Sequence, residues 1–161
     1  MNNNRKEMIR IDNLSQPYGL TNITCQLPKG KLIGIMGANG AGKSTLLKTL
    51  AGILPITSGE IWLNDSKLSQ MTAAEKSQQL AYLAQNTGIH WDLSVYDVIA
   101  LGLAQPLPAK KERLKITEIS QKFSIEHLLD KPFQQLSGGE KARVQLARCC
   151  IKNAPLLLAD E

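Results

Sequence analysis

The chain has 161 residues, 43% of them hydrophobic and 20% charged, with a formal net charge of +5. That is enough chain for one globular domain with a core, and the spread of seven prolines and the lack of low-complexity tracts argue against a disordered or fibrous protein. Apolar runs such as LIGIMGA and LLLA fall far short of the roughly 18 residues that a membrane span needs, and three cysteines without CxxC spacing suggest neither a zinc site nor a disulfide framework.

At the N-terminus, MNNNRKEMIRI has basic residues but no apolar h-region behind them, so it does not read as a secretory signal and a cytoplasmic setting is expected. MIRIDNL (8–14) and LTNITCQL (20–27) alternate apolar and polar residues, the period of half-buried strands. KLIGIM (31–36) is apolar nearly throughout and reads as a strand buried on both faces. A glycine-rich turn leads into a helical stretch, KSTLLKTLAG, with Gly52 as its stop.

GEIWLN (59–64) reads as a strand, Thr72 caps a short helix through Gln79, and LAYLA (80–84) returns to strand. Residues 94 to 131 change to helical patterns. Ser94 and Asp97 form an S-x-x-D cap before YDVIALGL, and KKERLKITEISQKF follows a proline-containing loop. Ser137 to Ile151 reads as a further helix and PLLLAD as a last strand. The order is that of an α/β protein with an inserted helical subdomain.

Four motifs carry chemistry. GANGAGKS (Gly37 to Ser44) satisfies G-x-x-x-x-G-K-[ST] between a predicted strand and a helix. Its glycines allow consecutive N–H groups to face phosphate oxygens, Lys43 brings a charge to the β- and γ-phosphates, and Ser44 offers an oxygen to magnesium. In LSGGE (136–140), Ser137 and Glu140 make a capping box, while Gly138 and Gly139 leave the first amides of the helix bare. Taken alone this box is ordinary helix capping; beside a phosphate loop it reads as a second anion site. At the tip of the last strand stand Asp160, placed to hold magnesium, and Glu161, placed to polarise an attacking water. Gln85 follows LAYLA, where a glutamine can reach magnesium and the γ-phosphate, although a lone glutamine in a loop is usually only a loop residue.

The ordered set GANGAGKST, YLAQ, LSGGEKARVQLAR and LLLADE resembles the ATP-binding subunit of ABC transporters from about residue 8 onward, and TSGEIWLNDSKLSQMTAAEKSQQLAYLAQ is similar to the importers of iron-siderophore, haem and cobalamin type. The resemblance implies a P-loop NTPase (RecA-like) core sheet with an antiparallel β subdomain and an inserted helical subdomain. Residues 1–86 would form the ATP-binding core, 87–135 the helical subdomain, and 136–161 the LSGG helix and the Walker B strand returning to the core.

The implied cofactors are ATP and Mg2+. The phosphates fall to Gly37, Asn39, Gly40, Ala41, Gly42, Lys43, Ser44 and Thr45, and the γ-phosphate of an opposing copy to Ser137, Gly138 and Gly139. The metal falls to Ser44, Gln85 and Asp160, and catalysis to Glu161 with Gln85 and Lys43. Tyr18 takes the place of the adenine-stacking aromatic, with a turn tyrosine as the other reading. The implied partners are a transmembrane permease and a second ATP-binding subunit, in a homodimer held peripherally on the inner face of the cell membrane.

Glu140 stands where the family most often has Gln, and LAQP stands where the importer subfamily often has Arg then Pro. His90 and His127 both precede Asp160, so neither is the family's switch histidine. On this resemblance the chain is expected to be truncated after Walker B, with the C-terminal part of the core missing and hydrolysis far below a family-like rate. One rival reading is a soluble ABC ATPase of DNA repair or translation, with Lys110, Lys111, Arg113 and Lys115 on nucleic acid; without interleaved aromatics, no nucleic acid is expected. The other is an inactive truncated fragment.

Overall fold

The computed structural model describes residues 7–85 and 92–160, which divide into two compact units, Met1–Lys76 and Ser77–Glu161. In the first, β1 (Glu7–Gln16), β2 (Leu20–Pro28), β3 (Ser58–Leu63) and β4 (Ser66–Lys67) form an antiparallel sheet in the order β2-β1-β3-β4. Alternation decides its two faces. Ile9 and Ile11 lie opposite Leu63 and Ile61, and all four are buried. Between them, Arg10, Trp62 and Lys67 form one row across three strands, with the cations 4.7 and 5.1 Å from the indole centroid. Lys67 also donates to Glu60 at 2.8 Å, so this face is a structural charge ladder.

Where β1 shifts register between Asp12 and Ser15, Gly59 of β3 lies against the carbonyls of Asp12 and Asn13 with φ 83°. Any Cβ there would meet both oxygens, so the irregularity requires glycine.

The unit's helix, α1 (Lys43–Leu50), starts after Gly42 in the left-handed region and ends with Gly52 at φ 71°, whose N–H donates to the Thr49 carbonyl, as the sequence led us to expect. Helix α2 (Ala73–Gln79) begins with a Thr72–Glu75 box in which the carboxylate accepts from both the amide and the hydroxyl of Thr72, at 2.7 and 2.9 Å.

One expectation is corrected. Residues 31–36 form no strand, and Leu32 and Met36 are 103% and 93% exposed. A doubly buried strand exists only when neighbours satisfy its N–H and C=O groups on both edges, and among the described residues none pairs with it.

In the second unit, β5 (Leu80–Leu83) and β6 (Leu156–Ala159) pair in parallel, Leu80 opposite Leu156 through Leu83 opposite Ala159. Helices α3 (Val95–Ala100), α4 (Ala109–Lys122) and α5 (Gly138–Cys150) enclose a core in which Val98, Ile99, Ile116, Ile125 and Val144 are wholly buried. Ser94 and Asp97 form the expected reciprocal box at the start of α3. Ser120, also fully buried, donates back to the Ile116 carbonyl at 2.6 Å and so satisfies its hydroxyl within α4. Gly102 touches the Arg148 carbonyl and Ile151, a backbone approach that a Cβ would block.

Lys110, Lys111, Arg113 and Lys115 of α4 are all exposed. No helix among the described residues is long and apolar enough to cross a membrane.

Candidate functional site

The glycine-rich loop lies in the first unit, with residues 37–41 all exposed. Gly40 and Gly42 have φ of 81° and 86°, and a Cβ on Gly42 would stand 2.7 Å from the Gly19 carbonyl oxygen and 3.0 Å from Leu20 Cδ2. The loop is thus seated on the β1–β2 turn, and only glycine allows both the turn and the approach. Lys43 Nζ donates to the carbonyls of Gly37 (2.8 Å) and Ala38 (2.9 Å), so the ammonium folds back over the loop that precedes it.

No acidic residue occupies the first turn of α1 and no side chain caps it. The helix start therefore keeps a positive pole that no carboxylate offsets, a setting that favours an anion. Thr45 Oγ1 donates to the Tyr18 carbonyl at 3.1 Å, tying the exposed tyrosine loop to the same helix. Asn39, Ala41 and Ser44 take their places along this segment.

Gln85, Ser137 to Gly139 and Asp160 belong to the second unit. At the start of α5 the capping box forms as expected: Glu140 accepts from the Ser137 amide at 2.8 Å and from its hydroxyl at 2.6 Å. Those bonds, chiefly the one from the Ser137 hydroxyl, hold the Glu140 carboxyl below the usual carboxylate range. A Cβ built on Gly138 or Gly139 would meet nothing within 4 Å. Packing therefore does not demand either glycine, and what they provide is an uncovered backbone that a ligand can approach.

Asp160 follows β6 directly, and its amide donates to the Leu83 carbonyl at 2.9 Å. Its carboxylate accepts a hydrogen bond of 3.0 Å from the Tyr82 hydroxyl. Burial, then this bond to an anion, pushes the Tyr82 phenol up to about 12, so it remains a donor at neutral pH. Tyr82 is the residue that the sequence reading passed over. The parallel pairing brings Tyr82 and Asp160 together: Tyr82 lies opposite Leu158, and Asp160 lies two residues further on the same side, a register that the alternation of LAYL alone does not set.

Gln85 is exposed, two residues beyond β5. Glu161 lies outside the described residues, as does the stretch 86–91 with His90. By residue type, Ser44 in the first unit offers a hydroxyl oxygen, and Gln85 and Asp160 in the second offer an amide and a carboxylate oxygen, each a hard donor of the kind that magnesium takes.

The ABC transporter family pattern matches residues 20–161. The chain is 40% identical over 153 residues to the hemin import ATP-binding protein HmuV of Bordetella parapertussis, covering 88% of this chain and 58% of the relative. It is 33% identical over 156 residues to the lipopolysaccharide export system ATP-binding protein LptB of Escherichia coli K12, covering 92% and 65%. Among solved structures it matches cbiO1 of Clostridium perfringens, part of the ABC transporter complex cbiONQ, with a TM-score of 0.86 and 27% identity over 98% of this chain and 66% of that one. The chain thus spans 58% of the length of the first of these relatives.

Proposed function

Since the chain belongs to the ABC transporter family, we propose that it binds ATP with magnesium and couples ATP hydrolysis to the movement of a substrate across a membrane through a permease. The observation that carries this reading is the loop around Lys43, where two left-handed glycines, an uncapped helix start and a folded-back ammonium occur together. On arrival of ATP, Lys43 exchanges its two carbonyl partners for phosphate oxygens, a trade of neutral acceptors for charged ones. The amides from Asn39 to Thr45 cradle the phosphates, and Tyr18 offers its ring to adenine.

Bound magnesium would neutralise charge that builds up on the phosphates; Ser44, Gln85 and Asp160 are the residues we assign to hold it. Glu161 orients and deprotonates the attacking water. Ser137, Gly138 and Gly139 present uncovered helix-start amides to the γ-phosphate bound by a second copy, so that two chains enclose two ATP molecules. In this reading residues 1–86 form the ATP-binding core, 87–135 a helical subdomain facing the permease, and 136–161 the return to the core. The protein then sits peripherally on the inner face of the membrane.

For the substrate we propose a metal chelate of the iron-siderophore, haem or cobalamin class taken up by import. Support comes from the identity to a hemin import protein; a lipopolysaccharide export protein among the relatives shows that the family's pattern by itself does not set direction.

Hydrolysis dissolves the ATP-bound pair, so removing the base traps it. With ATP and magnesium, Glu161→Gln is expected to elute as a dimer retaining nucleotide, measured by light scattering after size exclusion, and to run as a monomer without ATP. A mass unchanged by ATP would reject the paired-site reading.

A further inference from the structure

We propose that Tyr82 is a positioning residue for the metal-holding carboxylate of Asp160, fixing its orientation through the hydroxyl hydrogen bond. The proposal rests on the magnesium role given to Asp160 above. Each hydrogen bond that a carboxylate accepts narrows the orientations it can take, and a metal that needs near-ideal octahedral geometry gains affinity when its ligand is oriented in advance. The Tyr82 hydroxyl, 3.0 Å from Oδ2, supplies one such bond.

The fixed end of this bond is itself held at several points. Tyr82 lies opposite Leu158 in the parallel pair, and the next rung joins Leu83 to Ala159. The Asp160 amide extends the ladder by donating to the Leu83 carbonyl at 2.9 Å. From the other side, the buried Cys149 thiol of α5 lies 3.6 Å from the Tyr82 carbonyl and donates to it. Strand, neighbouring strand and helix thereby set where the phenol stands, and the phenol sets where the carboxylate points. Phenylalanine would fill the same volume and leave the ladder intact, so the hydroxyl contributes orientation and not packing.

The test is a manganese titration of the chain in the presence of ATP, reading free Mn2+ by electron paramagnetic resonance for the parent, Tyr82→Phe, Asp160→Asn and the double variant. Residues that orient a metal ligand typically change metal affinity by about tenfold or more when removed. Tyr82→Phe is therefore expected to weaken manganese binding by about tenfold, while ATP binding in EDTA stays at the parental level. In the Asp160→Asn background the same change is expected to add no further loss, because its target is gone.

Cys149→Ala serves as the control for a packing effect: it disturbs the same strand without touching the hydroxyl, and it should leave manganese affinity near the parental value. If Cys149→Ala weakens the metal as much as Tyr82→Phe, or if Tyr82→Phe leaves manganese affinity unchanged or tightens it, the positioning role is overturned. Should Asp160→Asn itself leave manganese affinity unchanged, the magnesium reading of Asp160 fails first, an outcome separable from failure of the Tyr82 proposal alone.

Discussion

Lys43→Ala is expected to lower ATP affinity on the order of a hundredfold. The ammonium lies over the glycine loop on the carbonyls of Gly37 and Ala38, both neutral acceptors reached at ordinary hydrogen-bond distance. Phosphate oxygens are better partners, and charge-assisted bonds to them are worth about 1.5 to 3 kcal/mol each, so loss of one or two such bonds spans roughly ten- to several-hundredfold. Alanine keeps the start of α1 helical, so the loss is specific to the charge. Displacement of a fluorescent ATP analogue measures it, with Lys43→Arg as comparison. Arginine restores charge but not the compact ammonium, and partial recovery is expected. Equal affinity for parent and Lys43→Ala would separate the loop from phosphate binding.

Ile99→Ala is expected to destabilise the second unit by about 2 to 5 kcal/mol. Ile99 is wholly buried within the α3, α4 and α5 core, beside Val98, Ile116 and Val144, and alanine there leaves a cavity that backbone held by the Ser94–Asp97 box cannot readily close. Against a total stability of roughly 5 to 15 kcal/mol for a domain, such a loss removes a large share. At exposed Lys115 of α4, substitution by alanine is expected to stay within about 0.5 kcal/mol. Urea unfolding followed by circular dichroism compares the two, and similar midpoints would show that the helical core is not packed as described.

What was legible in the sequence is what depends on residues close together in the chain. The Ser94–Asp97 and Ser137–Glu140 boxes, the glycine turns at 40 and 42 and the stop at Gly52 are each settled within a turn or two, and each forms. The alternating strands β1 to β3 were readable because one face of that sheet is core and the other is polar. Residues 31–36 misled the reading for the opposite reason. An apolar run says that a segment wants burial, while a strand needs partners, and partners are a property of the whole sheet. The Tyr82–Asp160 bond was hidden likewise: it follows from the parallel register of two strands 73 residues apart from Leu83 to Leu156, and no local pattern sets that register. Gln85 was legible as a residue type in a place, and its exposure agrees with both a ligand-reaching and an ordinary loop role.

The central claim is that this chain is an ATP-binding member of its family, and equilibrium dialysis of radiolabelled ATP with magnesium against the purified 161-residue chain tests it most directly. The account predicts saturable binding of one ATP per chain that unlabelled ATP displaces and that the Lys43→Ala chain lacks at the same concentration. Absence of saturable binding by a chain shown to be folded by circular dichroism, or binding that Lys43→Ala leaves intact, would contradict it.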